Sequence, residues 1–137
     1  IGSTHAFGTY ADALERLEAC VRPGGWLLVA DCYWKQHPSP EYLSFMECEE
    51  SVYGTHEGNI GIAEKLGLIP LWASVANDDE WDEYEWRYHM NVENFAHDNP
   101  DDPDHDAMLE RIRSWSHAYL AWGRATLGFG LYLFRNP

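Results

Sequence analysis

The chain has 137 residues, 45% hydrophobic and 23% charged, the proportions of a globular sequence able to bury one core, which excludes wholesale disorder and a multidomain array. Nine Lys and Arg oppose 23 Asp and Glu, a net charge of -14, the wrong sign for following a nucleic-acid backbone or an anionic membrane surface. The three cysteines, Cys20, Cys32 and Cys48, form no CxxC pair, which argues against a disulfide scaffold and a cysteine zinc site and fits a reducing cytoplasm. No apolar run approaches the ~18 residues of a membrane span. The first residue is Ile1 rather than Met, so the natural N-terminus is expected upstream.

In chain order, Thr9 caps a helix with Asp12 as its capping partner, and Tyr10, Ala13, Leu14, Leu17 and Val21 recur at helical spacing. Arg22-Pro23-Gly24-Gly25 ends it, and Trp26 to Tyr33 is a nearly continuous apolar run, the pattern of a parallel strand covered on both faces. Ser39 with Pro40 starts a short helix through about Cys48, Thr55 caps another that Gly67 stops, and Leu68 to Val75 reads as a strand.

The segment from Asp78 to Asp106 holds twelve acids and a single basic residue, Arg87. Two long helices are expected across 78–124, an acidic helical insertion, with Trp81, Tyr84, Tyr88, Val92 and Phe95 as the core-facing stripe of the first. Met108, Ile112, Trp115, Tyr119 and Trp122 form the stripe of the second, and Gly128 to Phe134 closes the chain as a β-segment. Trp86 and Met90 fall on the face that the acids keep wet, which points to a lid, a contact with another chain, or exposure without purpose.

The stretch Leu17-Glu18-Ala19-Cys20-Val21-Arg22-Pro23-Gly24-Gly25-Trp26-Leu27-Leu28-Val29-Ala30-Asp31 resembles class I S-adenosylmethionine-dependent methyltransferases, in which a helix, an Arg/Lys-Pro-Gly-Gly turn and a hydrophobic fifth strand follow the cofactor-binding half. Ile1-Gly2-Ser3-Thr4-His5-Ala6-Phe7 is similar to the end of the family's fourth strand and the loop facing cofactor and substrate, and the final strand pair is similar to its antiparallel ending. The resemblance covers residues 1–137 as one domain and implies an α/β fold, the C-terminal half of a Rossmann-like sheet, with one parallel strand, an antiparallel C-terminal strand pair and flanking helices. The 137 residues contain no G-x-G-x-G after a strand and no second strand ending in an acidic ribose ligand, so those parts are expected before Ile1. The resemblance therefore implies S-adenosylmethionine as cofactor of the intact parent, a small-molecule substrate, and no transfer by these residues alone.

Gly2 and Ser3 would then border the cofactor, and His5, Tyr33 and Trp34 would share the crevice at the carboxyl end of the sheet. His5 is read either as a general base or as pocket lining, and Tyr33 and Trp34 either stack on a flat substrate or cap the core. Tyr53 and Trp86 complete the expected substrate contacts. Metal readings fail on particular positions: Asp102-x-Asp104-x-Asp106 has Ala107 and Arg113 where a calcium loop needs Gly and Glu, and there is no HExxH. No G-x-S-x-G elbow exists for a hydrolase either. Without its fourth-strand neighbour the apolar edge of Trp26 to Tyr33 is expected to pair with a second copy as a homodimer. The alternative from another class is a non-catalytic acidic interaction module acting through Trp86 and Met90.

Overall fold

The computed structural model describes residues 2–137; Ile1, part of the expected fourth-strand remnant, lies outside the described residues. A 3-10 turn, Thr4–Phe7, leads into α1 (Tyr10–Glu18), whose capping box is complete: the Thr9 side chain accepts from the Asp12 amide and Asp12 accepts from the Thr9 amide. The Pro23-Gly24-Gly25 turn follows, with Gly24 at φ +75°, a left-handed conformation that costs glycine least. Asn136 near the other end of the chain stitches this turn: its amide donates to the Gly25 carbonyl and its side chain to the Val21 carbonyl.

Strand β1 (Trp26–Trp34) follows, then α2 (Pro40–Met46) capped by Ser39, α3 (His56–Lys65) capped by Thr55, and β2 (Ile69–Val75). The 21-residue α4 (Asp78–Asp98) starts at a capping box between Asn77 and Glu80. Helix α5 (His105–Ala118) runs back beside it, and β3 (Leu127–Arg135) ends the fold. The second helix is shorter than its apolar stripe implied. A π-helical turn at Tyr119–Gly123 breaks its winding, and only a short helix, α6 (Arg124–Thr126), continues it.

The sheet order is β1-β3-β2, with β3 antiparallel to both neighbours. The antiparallel pairing of β2 with β3 is the expected C-terminal strand pair. β1 and β2 run in the same direction, but β3 lies between them, so among the described residues no strand is paired in parallel. The free edge of β1 carries one bond to a preceding segment, from the Gly2 amide to the Ala30 carbonyl at 3.0 Å.

Alternation along the strands divides the sheet into two faces. On one, Leu27, Val29, Tyr132 and Phe134 pack with Leu14 of α1 and Ala63 of α3 to make the core. On the other, Trp26 is 66% and Leu28 49% exposed. The expectation that β1 is covered on both faces therefore holds for its carboxyl half, where Ala30 and Trp34 are buried on this second face, and fails at Trp26 and Leu28, because α1 and α3 both pack on the first face.

The inner face of α4 also differs from expectation. Tyr84, Tyr88 and Phe95 of the expected core stripe are exposed, whereas Asp82, Glu85, His89 and Glu93 turn toward the following helices. Each finds a partner there. Asp82 accepts from Arg124 and from the Tyr119 hydroxyl at 2.6 Å, and Glu85 accepts from the Trp115 indole at 2.6 Å. His89 bonds the Ser116 hydroxyl at 2.6 Å, and Glu93 takes both the Nε and an Nη of Arg113. The hairpin is joined by a polar seam, and the acids that looked like a wet face are its teeth.

Candidate functional site

Where β1 ends, its last two residues point to opposite sides of the sheet. Tyr33 lies on the core face, buried, with its ring 5.2 Å from that of His56. Trp34, also buried, donates its indole N–H to the Glu50 carbonyl at 2.7 Å and meets Tyr53 edge-on at 5.2 Å and Tyr42 at 6.3 Å. An open cleft runs past Trp34 and Tyr53, bordered by Lys35, His37, Glu50 and Thr55.

The N-terminal segment sits on the edge strand beside this end. Gly2 is bonded to Ala30 and lies against the Phe129 ring, and the Thr4 hydroxyl donates to Asp31 at 2.6 Å, which fixes the turn carrying Ser3 and His5. His5 is exposed on that turn. The structure thus brings Trp34 and Tyr53 together, puts Gly2, Ser3 and His5 along the neighbouring edge, and separates Tyr33 from them by the sheet. Trp86 stands apart on α4, 42% exposed, its ring 5.1 Å from His89 in a shallow groove with Arg87 and Met90.

Behind Trp34 the interior becomes strongly aromatic. Cys32 is largely buried there, and burial, reinforced by the Asp31 charge, pushes its thiol up to about 12. Burial, with Cys32 and Asp31 nearby, also raises the Tyr53 hydroxyl to about 12. These groups stay neutral at physiological pH and serve as weak hydrogen-bonding groups rather than nucleophiles.

Farther in, a small pocket lies between α2, α4 and α5, walled by Tyr42, Phe45, Trp81, Trp115 and Tyr119 with the Glu85 carboxylate on its side. It is small and partly open to solvent, and about 20 Å³ within it admits the centre of a water-sized sphere. Burial raises the Glu85 pKa above its ordinary value, and the hydrogen bond from Trp115 opposes that rise. Sequence reading missed this pocket, although a signal was present. Trp81 with Glu85, and Trp115 with Tyr119, are i,i+4 pairs, so each helix places two of these side chains on one face.

No protein-family model matches the sequence. The chain is 27% identical to the uncharacterized protein YjhP of Escherichia coli, over 96% of this chain and 54% of that protein. Its structure superposes on a SAM-dependent methyltransferase of Geobacter sulfurreducens, solved with S-adenosyl-L-homocysteine, at a TM-score of 0.91 and 24% identity. That match covers 100% of this chain and 56% of the other. The fold is that of a class I methyltransferase. A methyltransferase of Thiobacillus denitrificans, also solved with S-adenosyl-L-homocysteine, matches over the same shares of the two chains at a TM-score of 0.89 and 21% identity. The chain spans about half the length of these proteins. Among the described residues no helix is long and apolar enough to cross a membrane.

Proposed function

We propose that the chain is the C-terminal portion of an S-adenosylmethionine-dependent methyltransferase of the cytoplasm that acts on a small molecule. The observation that carries this reading is the superposition of the whole chain on methyltransferases solved with S-adenosyl-L-homocysteine. The 137 residues have the backbone turn of Gly2 and Ser3 at one margin of a cofactor site and no glycine-rich cradle, so they fit one side of the group and leave the rest to residues of the parent outside this chain. On this reading the isolated chain does not transfer methyl groups.

S-adenosylmethionine, when bound, supplies a methyl group activated on a sulfonium. The residues of this chain orient the acceptor and exclude water. On this reading Trp34 and Tyr53 form the wall of the substrate cleft, and His5, exposed on the turn before α1, takes a proton from the acceptor. Tyr33 and Trp86 stand outside that cleft, and the reading rests on the others. Calorimetry tests it: the intact parent should bind S-adenosylmethionine while this chain alone does not, and a parent without cofactor affinity refutes it.

The free edge of β1, with Trp26 and Leu28 exposed beside it, supports self-association of this chain as a homodimer. A monomeric mass by light scattering at micromolar concentration refutes that part. A second reading, an acidic interaction module, is favoured by exposed Trp86 and Met90 on α4. It requires that Trp86→Ala weaken capture of a protein partner and that cofactor have no influence on that capture.

A further inference from the structure

The inner face of α4 carries three carboxylates, and two of them are neutralised. Asp82 is held by the Arg124 guanidinium at 2.9 Å, and Glu93 by Arg113 at 2.7 Å with His89 at 3.5 Å. Asp78, one turn earlier, is paired with Lys35 and Arg124. Glu85 is the exception. Among the described residues it has no ion pair; its bond is to the neutral indole N–H of Trp115.

A carboxylate half-withdrawn from water without a cation is costly unless a cation arrives from elsewhere. Its surroundings are those of a cation receptor. Trp81 and Trp115, the residue type whose ring face attracts cations best, stand with Tyr42, Phe45 and Tyr119 around the same small space. Glu85 lines that space, whereas the Asp82 charge one turn earlier on α4 is committed to Arg124 and Tyr119. The free volume fits a compact head group of roughly 3 Å radius rather than an extended chain.

We propose that the pocket between α2, α4 and α5 receives the ammonium head of a small organic cation, held by the Glu85 carboxylate and by the rings of Trp81, Trp115 and Tyr42. This deepens the methyltransferase reading, on which it rests for calling the ligand a substrate: the substrate class becomes an amine or alkylammonium compound. The Trp34 and Tyr53 cleft then takes the rest of the molecule.

The test uses the 137-residue chain and two probes of the same shape, choline and its neutral isostere 3,3-dimethylbutan-1-ol, followed through the indole resonances of Trp81 and Trp115. Choline should bind at least about tenfold more tightly than the alcohol, since cation–π and carboxylate terms together exceed the ~1.4 kcal/mol that a factor of ten requires. Glu85→Gln, which keeps an acceptor for the Trp115 N–H, should weaken choline by about tenfold and leave the alcohol unchanged. Equal affinities for the two probes, no binding of either, or choline binding indifferent to Glu85→Gln overturns the proposal. The probe comparison needs no variant, so it decides even if the substitution impairs folding. Choline binding here without cofactor affinity in the parent would sink the methyltransferase reading and keep the ammonium site, and the reverse pair of results would do the opposite.

Discussion

Replacing Gly130 by alanine probes how tightly the core face is built. Tyr132, two residues on and on the same face of β3, is fully buried and folds its ring back over Gly130. A Cβ there would stand 2.5 Å from Cζ of that ring and 2.9 Å from Cε2, closer than carbon atoms approach. The ring has little freedom to yield, because its hydroxyl is bonded to His56 Nδ1 at 3.0 Å and accepts from Asn59 Nδ2 at 3.2 Å, and Asn59 is itself buried. Displacement strands the Asn59 amide at about 1–3 kcal/mol. Overpacking adds about 1–3 kcal/mol, so Gly130→Ala should cost about 2–6 kcal/mol and lower Tm by roughly 5–25 °C. Thermal melts followed by circular dichroism measure this. In the Tyr132→Leu background the same substitution should cost about 1 kcal/mol less or better, since the ring it strikes is gone. Additive losses, or a Tm drop of under about 2 °C in the single variant, would refute the argument from ring position.

Three further outcomes follow from other contacts. Because burial raises the Glu85 pKa, the folded state holds that proton more tightly than the unfolded one, and stability is lost as pH rises from the ordinary 4.5 through the folded value. Glu85→Gln escapes this loss, so its Tm relative to the unsubstituted chain should climb as pH rises above the ordinary 4.5; a constant difference counts against a buried carboxylate. Cys20 is exposed while the Cys32 thiol is pushed up to about 12, so iodoacetamide under native conditions should modify Cys20 first and reach Cys32 only on unfolding, as read by peptide mass spectrometry. Asn77→Ala removes the side-chain half of the α4 capping box, the acceptor of the Glu80 amide, and leaves the bond from its own backbone amide to the Glu80 carboxylate; it should cost about 0.5–2 kcal/mol in chemical denaturation, with Asn77→Asp restoring most of it.

Much of this architecture is legible in the residues because it is local. Thr9, Ser39 and Thr55 cap the helices that they announce, since a side-chain oxygen reaching the third amide needs nothing from elsewhere in the chain. The Pro23-Gly24-Gly25 turn and the β1 run behave likewise. What sequence reading loses is what depends on partners. Continuous apolarity marks β1 as buried on both sides, but the packing elements decide how far along the strand each side is covered: Ala30 and Trp34 are buried, while Trp26 and Leu28 on the same side are left outside. On α4, Tyr84, Tyr88 and Phe95 take the outside and Asp82, Glu85 and Glu93 the inside, because Arg113, Arg124 and Trp115 on the following helices offer donors. Periodicity records that a helix has two faces and is silent on which one a polar partner will claim. The site suffers in the same way: Tyr33 and Trp34 are adjacent in sequence, yet pleating sends them to opposite sides of the sheet.

The seam between α4 and α5 makes the helical hairpin a cassette with its own address code. Asp82 with Arg124, Glu85 with Trp115, His89 with Ser116 and Glu93 with Arg113 form a ladder in which every rung has a distinct chemistry. A slip by one residue would mismatch all four rungs at once, so the two helices recognise a single alignment and recover it after separation. Alignment written in polar pairs leaves the outward positions of both helices free to vary. A lineage carrying such a hairpin can rework the walls of the pocket beneath it while the sheet stays as it is.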